Sequence, residues 1–201
     1  MNSAATSTRR QLTRADILPQ AEYAKIRRDK RREITELKKR RRVEVGPFAT
    51  FYFENFTTMW QQVHEMLHIE KGGEEQIADE LAAYNPLIPQ GSELVATVMF
   101  EIEDPARRAR ELARLGGIEH RAFIEVNAER IHGEADPTRE NTSPEGKASS
   151  VQFLRFAFSP PQVAAFKAPG ARVLVGFDHP NYGHIAVLSE PVRAALAEDF
   201  D

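Results

Sequence analysis

Two helix-start signals of the same kind constrain the fold of this chain more than any other feature. Asp104-Pro105 and Ser159-Pro160-Pro161 each place a side-chain acceptor at an N-cap position and a proline in the first helical turn. There the missing amide costs no hydrogen bond and the ring presets φ for a helix. Each signal follows a run with strand patterning, residues 93–102 and 149–158, and each precedes another, residues 122–131 and 171–177. In the first run Leu94, Ala96, Val98, Phe100 and Ile102 recur with period two, the spacing of one face of a strand. The order over 93–177 is therefore β-α-β, a loop, then β-α-β. It suits a ferredoxin-like split βαβ antiparallel sheet, because right-handed crossovers place both helices on one face. The expected fold class is α+β.

The flanks fill in the rest. Residues 1–15 show no period and read as a disordered tail. Residues 16–92 read as an N-terminal α-β-α-α segment packed on the sheet. Its first helix, over 20–40, carries Tyr23, Ile26, Ile34 and Leu37 on one narrow face; a strand follows over 43–53, broken near Gly46-Pro47. A second helix over 55–71 has the stripe Met59, Trp60, Val63, Met66 and Leu67, and Gly72-Gly73 ends it. A short helix over 74–84 stops at Asn85-Pro86. Residues 93–201 form the core, with the polar stretch 132–148 as a flexible loop, an extra strand over 184–188 and a helix over 190–200. One compact domain is expected.

Charge is uneven. Residues 1–42 carry 14 Lys and Arg against 5 Asp and Glu, while residues 43–201 carry 13 against 25. The basic block is densest over 25–42. Such a stripe can contact phosphate backbones or anionic lipid. It lacks interleaved aromatics and any nucleic-acid motif, so a solvated helix docked on the protein's own acidic body, or on a second subunit, is the expected role. Nucleic acid is not an expected partner; a homodimer formed through this helix is. The chain has no cysteine, which removes disulfides, thiolate nucleophiles and any Cys-ligated iron–sulfur cluster. No apolar run approaches the roughly 18–20 residues of a membrane span, and the start lacks the apolar stretch of a secretory signal. A cytoplasmic protein that does not enter a membrane is expected.

Three constellations could carry chemistry. His64-Glu65-Met66-Leu67-His68 matches HExxH, the helical zinc-protease pattern. On a helical wheel His64 falls at the edge of the apolar stripe and His68 nearly opposite its centre. No third ligand follows, so the string reads as a chance match. The second is the turn Asp178-His179-Pro180-Asn181-Tyr182-Gly183-His184. Asp178 could hold one imidazole nitrogen of His179 and leave the other as a base or metal ligand. Alternatively, Asp178 opens a tight turn shaped by Pro180 and Asn181. Third, Glu54, Gln62, Glu65 and Arg155 are polar groups set in apolar sequence. Buried charges need partners, and Glu54 or Glu65 could pair with Arg41, Arg42 or Arg155.

Several segments occur together in one order: Lys39-Arg40-Arg41-Arg42-Val43 with Gly46, Phe51-Tyr52-Phe53-Glu54-Asn55, Gln62 through Glu65-Met66-Leu67 to Glu70, Tyr84-Asn85-Pro86-Leu87-Ile88-Pro89, Phe153-Leu154-Arg155-Phe156, and Asp178-His179-Pro180 with Tyr182. In this the chain resembles, over nearly all of residues 15–201, the bacterial family catalogued as domain of unknown function 3501. The resemblance implies work beside a rubrerythrin and an iron–sulfur oxidoreductase, close to peroxide or oxygen-stress chemistry. It also implies that the HExxH string is incidental, because other polar residues are usual in the family at the positions of His64 and His68. Gln62, Glu65, Glu54, Asp178, His179 and Tyr182 then become candidates for a shared site.

The leading expectation is an accessory protein of a rubrerythrin-type redox system. It would bind a metal, an anion or a partner in a polar pocket between the second helix and the 178–179 turn. Arg41, Arg42, Glu54, Gln62, Glu65 and Arg155 are its candidate binding residues. His179, Glu65 and Glu54 are candidate ligands for iron, manganese or zinc. One alternative is an enzyme with Asp178, His179 and Tyr182 as catalytic groups and Arg41 or Arg155 holding a small anionic substrate. Another is a nucleic-acid-binding regulator acting through the basic helix.

Overall fold

A computed structural model describes residues 9–201. The fold is α+β, and among the described residues it has six α-helices and nine strands. The strands are β1 (Arg42–Val45), β2 (Ala49–Phe53), β3 (Glu93–Phe100), β4 (Ala122–Val126), β5 (Glu129–His132), β6 (Glu134–Ala135), β7 (Val151–Ala157), β8 (Val173–His179) and β9 (Tyr182–Val187). They form two sheets, in the orders β1-β2-β3-β7-β6 and β5-β4-β8-β9. Every pairing is antiparallel.

The two sheets share one core. Ala49, Phe51 and Phe53 alternate along β2 and all point into it, as do Leu94, Ala96, Val98 and Phe100 of β3. From the second sheet Phe177 meets Phe51 at 5.1 Å and Phe100 at 6.1 Å between ring centroids. Burying one such ring contributes about 1.5–3 kcal/mol, so these faces hold the sheets together.

The expectation of one ferredoxin-like sheet over 93–177 is corrected. β3 and β7 pair as that topology requires, but β4 and β8 pair with each other in the second sheet. The free edge of β3 is taken by β2 and that of β7 by β6. These are the edges that β8 and β4 would need. The spans 43–53 and 122–131, expected as single strands, fold instead as the β1–β2 and β4–β5 hairpins. Short hairpins close at little entropic cost, and they supply the extra edges. The second hairpin turns at Asn127 and Ala128, both at positive φ (51° and 70°). That conformation is usually flagged by Asn-Gly, a signal absent here. Residues 132–148 are likewise not a free loop: β6 pairs with β7, and the Ala148 amide donates to the Leu112 carbonyl at 3.0 Å.

The helices are α1 (Gln20–Lys39), α2 (Phe56–Glu70), α3 (Glu74–Tyr84), α4 (Pro105–Ala113), α5 (Pro160–Lys167) and α6 (Glu190–Ala197). Asn55 caps α2 by accepting the Thr58 amide at 3.0 Å, and Asp104 caps α4 by accepting the Arg107 amide at 2.6 Å. The N-terminal segment covers the outer face of the first sheet through a second core that includes Phe56, Met59, Val63, Leu67, Ile77 and Val95. The tail expected over 1–15 is corrected for residues 9–15. Leu12 is 1% exposed, and its backbone exchanges two hydrogen bonds with the Asn85 side chain at 2.7 and 2.9 Å. Residues 1–8 lie outside the described residues. Phe158, Phe166 and Phe200 cluster edge-to-face where α5 and α6 close one end of the sandwich. Among the described residues, no helix is long and apolar enough to cross a membrane.

Candidate functional site

The 178–182 turn is a two-residue hairpin in which His179 pairs with Tyr182 across Pro180-Asn181. Successive side chains on a strand point to opposite faces, so Asp178 and His179 diverge. Asp178 reaches Arg130 at 3.3 Å on the exposed side. His179 is buried; its Nδ1 accepts the Asn181 amide at 3.2 Å, and its Nε2 lies 3.3 Å from the Gly116 carbonyl. The expected Asp178–His179 acid–base pair is therefore corrected, and the tight-turn alternative describes the segment. Tyr182 is fully engaged as well. Its hydroxyl donates to the Val45 carbonyl at 2.8 Å and accepts the Phe48 and Ala49 amides at 3.2 and 3.0 Å. Burial raises its pKa above the ordinary tyrosine value.

Glu65 is held elsewhere, between α1 and α2. Arg27 grips its two oxygens at 2.9 and 2.8 Å, and the Tyr23 hydroxyl donates at 2.7 Å. These contacts, the Arg27 hydrogen bonds first, hold its carboxyl below the usual glutamate range. Burial and the adjacent Glu65 push Tyr23 the other way. Glu54 accepts from Thr97 Oγ1 at 2.7 Å on the same outer face of the first sheet, and its Oε2 is buried with no protein partner. Gln62 only approaches the Tyr84 hydroxyl, at 3.5 Å. The thickness of the sandwich thus separates Glu54, Gln62 and Glu65 from His179, and the expected polar pocket joining α2 to the 178–179 turn is corrected. Glu54, Glu65 and His179 do not form a ligand set, and among the described residues no three His, Asp or Glu side chains gather as a metal site.

The arginines are structural too. Arg41 is 2% exposed. It donates to the carbonyls of Phe53, Glu54 and Ala195 at 3.0, 3.2 and 3.2 Å and pairs with Asp199, not with Glu54 or Glu65. Arg42 is exposed beside Glu44. Arg155 pairs with Glu93 and donates to the Pro86 carbonyl at 2.6 Å.

In the HExxH string, His64 Nδ1 donates to the Trp60 carbonyl at 2.7 Å and Nε2 accepts the Leu18 amide at 3.0 Å. Both ring nitrogens are committed, and burial lowers the pKa below the ordinary histidine value. The ring lies inside rather than at the stripe's edge because Tyr23 of α1 covers it, 4.7 Å away. His68 lies at the surface junction of α1 and α2.

What periodicity could not locate is a cleft of about 760 Å³ under the middle of α1. The narrow face of α1 (Ile34 and Leu37) forms its roof, the start of α2 (Phe56 and Trp60) its apolar wall, and the end of α6 with Ile88-Pro89 its far side. Arg9, Arg10, Lys30, Arg40 and Arg41 line it, against Asp16, Glu33, Glu198 and Asp199. Arg9 lies over the Phe56 ring at 4.3 Å. Arg10 binds Asp201 and the carbonyls of Pro89 and Asp199, the latter two at 3.2 and 2.9 Å. The size falls within the usual range of ligand sites. Arg9 and Arg10 were the available signal, hidden in a stretch without periodicity.

Two antiparallel sheets over one core, with three helices covering the first sheet and a mixed-charge cleft under the longest, define an α+β sandwich with a lateral cleft. A family model described as protein of unknown function (DUF3501) matches residues 11–200, and the chain belongs to that family. A crystal structure of a protein of unknown function from Burkholderia pseudomallei K96243 is similar, with TM-score 0.88 and 43% identity over 95% of this chain and 100% of that one. No curated protein matches.

Proposed function

We propose that this protein is a non-catalytic accessory that holds an acidic segment of a protein partner in the cleft under α1. The carrying observation is the cleft itself: about 760 Å³, walled by Trp60 and Phe56, with five cationic side chains beside four acidic ones, Arg9 paired with Asp16 and Lys30 with Glu33. The chain's own carboxylates illustrate the chemistry, since Arg10 and Arg41 at its base hold Asp201 and Asp199. Among the described residues Arg40, at the rim, meets no carboxylate within ion-pair distance and is exposed. Of the groups an enzyme would need at the 178–182 turn, His179 and Tyr182 are engaged by backbone groups, and Asp178 points the other way, to Arg130.

The family resemblance supplies the setting, a cytoplasmic rubrerythrin-type oxidative-stress system with a rubrerythrin or an iron–sulfur oxidoreductase as partner. Iron, manganese or zinc then belongs to the partner. Calorimetric titration of the full chain with the rubrerythrin of the same cell tests this. The expected result is saturable binding that Arg9→Glu with Arg40→Glu weakens about tenfold or more, as reversal of two rim charges should. Binding unaffected by that double change would contradict the assignment of the cleft.

A further inference from the structure

The opposite flank of α1 carries a second feature, independent of the cleft. Arg28, Arg31, Arg32 and Thr35 fall at i, i+3, i+4 and i+7, which places them along one side of the helix. With Arg27 and with His68 of α2 they line a groove of about 630 Å³. It uses His68, the second histidine of the HExxH string, which lies partly exposed on α2.

The balance of charge in this groove is unusual. Of its four guanidinium groups only Arg27 is neutralised, by Glu65. Arg28 has a single carboxylate near it, Asp29 at 3.7 Å, with both side chains largely in water. Glu36, the groove's own acid, is bound by Lys39 at 2.7 Å. Among the described residues Arg31 and Arg32 meet no carboxylate within ion-pair distance and are exposed. Arg31 lines the groove together with His68 of α2, at the α1–α2 seam. Arginines spaced four apart repel one another along a helix, and a polyvalent anion bridging them removes that repulsion.

We infer that this groove binds an oligophosphate, a chain of two or more linked phosphoryl groups. Planar guanidinium forks match phosphate oxygens two at a time. Three such forks set along little more than one helical turn, about 6 Å, call for an anion with several separated oxygen pairs and more than one charge, which a lone carboxylate lacks. His68 adds a ring nitrogen at the groove's side, while the Thr35 hydroxyl already donates to the Arg31 carbonyl at 2.7 Å. A nucleic-acid duplex is a poorer match, because the body beyond residue 42 carries 25 acidic against 13 basic residues and would face the remainder of the backbone.

The test is calorimetric titration of the full chain with inorganic tripolyphosphate, adenosine triphosphate and citrate at roughly physiological ionic strength, where diffuse attraction is screened beyond about 8 Å. The expected result is saturable binding of both phosphate compounds, with citrate about tenfold weaker or worse. Equal affinity for the two assigns the site to the phosphate chain alone; tighter binding of the nucleotide extends it to a base. Arg31→Ala with Arg32→Ala should weaken binding about tenfold or more. Arg107→Ala with Arg110→Ala, the same loss of charge on the exposed side of distant α4, should leave it within about twofold. All four side chains are exposed, so both variants fold. No saturable phosphate binding, equal loss in both double variants, citrate as good as tripolyphosphate, or a DNA duplex preferred over tripolyphosphate would each overturn the inference.

Discussion

The hydroxyl of Tyr182, on the second sheet, donates to the carbonyl of Val45, on the edge of the first, at 2.8 Å. The same oxygen accepts the Phe48 and Ala49 amides, so one side chain fastens the β1–β2 hairpin across the sandwich. Gly46 at φ +70° makes this approach feasible, since a Cβ there would lie 2.9 Å from the hydroxyl and 2.6 Å from the His184 ring. Tyr182→Phe leaves two amides and a carbonyl without their partner. Each such group costs about 1–3 kcal/mol when it stays buried. Part of the hairpin reaches water, so a total loss of about 2–4 kcal/mol in urea denaturation is expected. A loss under about 0.5 kcal/mol would place the fastening elsewhere.

His64 makes stability depend on pH. Its Nε2 must be unprotonated to accept the Leu18 amide, and its folded pKa lies below the unfolded value because burial disfavours the charged ring. The unfolded chain therefore binds this proton first as pH falls. The His64 contribution is complete above the unfolded histidine pKa of about 6.5 and declines below it until the folded pKa is reached, at up to about 1.4 kcal/mol per pH unit. Denaturation between pH 7.5 and 5 should show the wild type losing more stability than His64→Gln, whose amide does not titrate. Parallel pH profiles would contradict this.

Glu65 ties the arginine-rich helix down. Its pKa is lowered in the folded chain, so its stabilisation is present above the unfolded glutamate value of about 4.3 and is lost as pH falls through the folded one. At neutral pH Glu65→Gln gives up the charged component of three hydrogen bonds from Arg27 and Tyr23. The side chains remain 18–28% exposed, so solvent screening limits the cost to about 1–2 kcal/mol. The expected readout is faster trypsin cleavage within residues 25–42 while the sheets stay intact. An unchanged cleavage pattern would show that other contacts hold α1.

Arg41 and Asp178 provide a contrast. Arg41→Ala leaves Asp199 and three carbonyls without their donor in a buried setting, a loss of about 3–5 kcal/mol. Asp178→Asn removes one exposed ion pair with Arg130, with an effect of about 0–1 kcal/mol. Thermal melts of the two variants should differ accordingly. A strongly destabilised Asp178→Asn would show that this carboxylate holds more than the exposed pair with Arg130.

The elements were legible where the signal is local. The proline-started helices α4 and α5, the apolar stripe of α2 and the boundaries of α3 follow from caps, periodicity and breakers. Sheet partnership was not, because β4 carries the same alternation whether it lies beside β7 or β8, and a two-residue strand such as β6 has no periodicity to read. The buried polar groups were legible as needing partners, but the pairings were not: Arg41 finds Asp199, 158 residues away in sequence. Leu12 carries no readable signal because a lone apolar residue among polar ones has no period, and Arg9 and Arg10 lie in the same stretch. The cleft depends on how α1, α2, α6 and residues 9–16 come together, and no single stretch encodes that.

The most direct test of the cleft is hydrogen–deuterium exchange of the full chain with and without the rubrerythrin-type partner. The account predicts slower exchange in residues 9–16, in the 30–41 part of α1 and its exit, and in 195–199, with the 178–183 hairpin unchanged. Protection confined to that hairpin, or none at saturating partner, would contradict it.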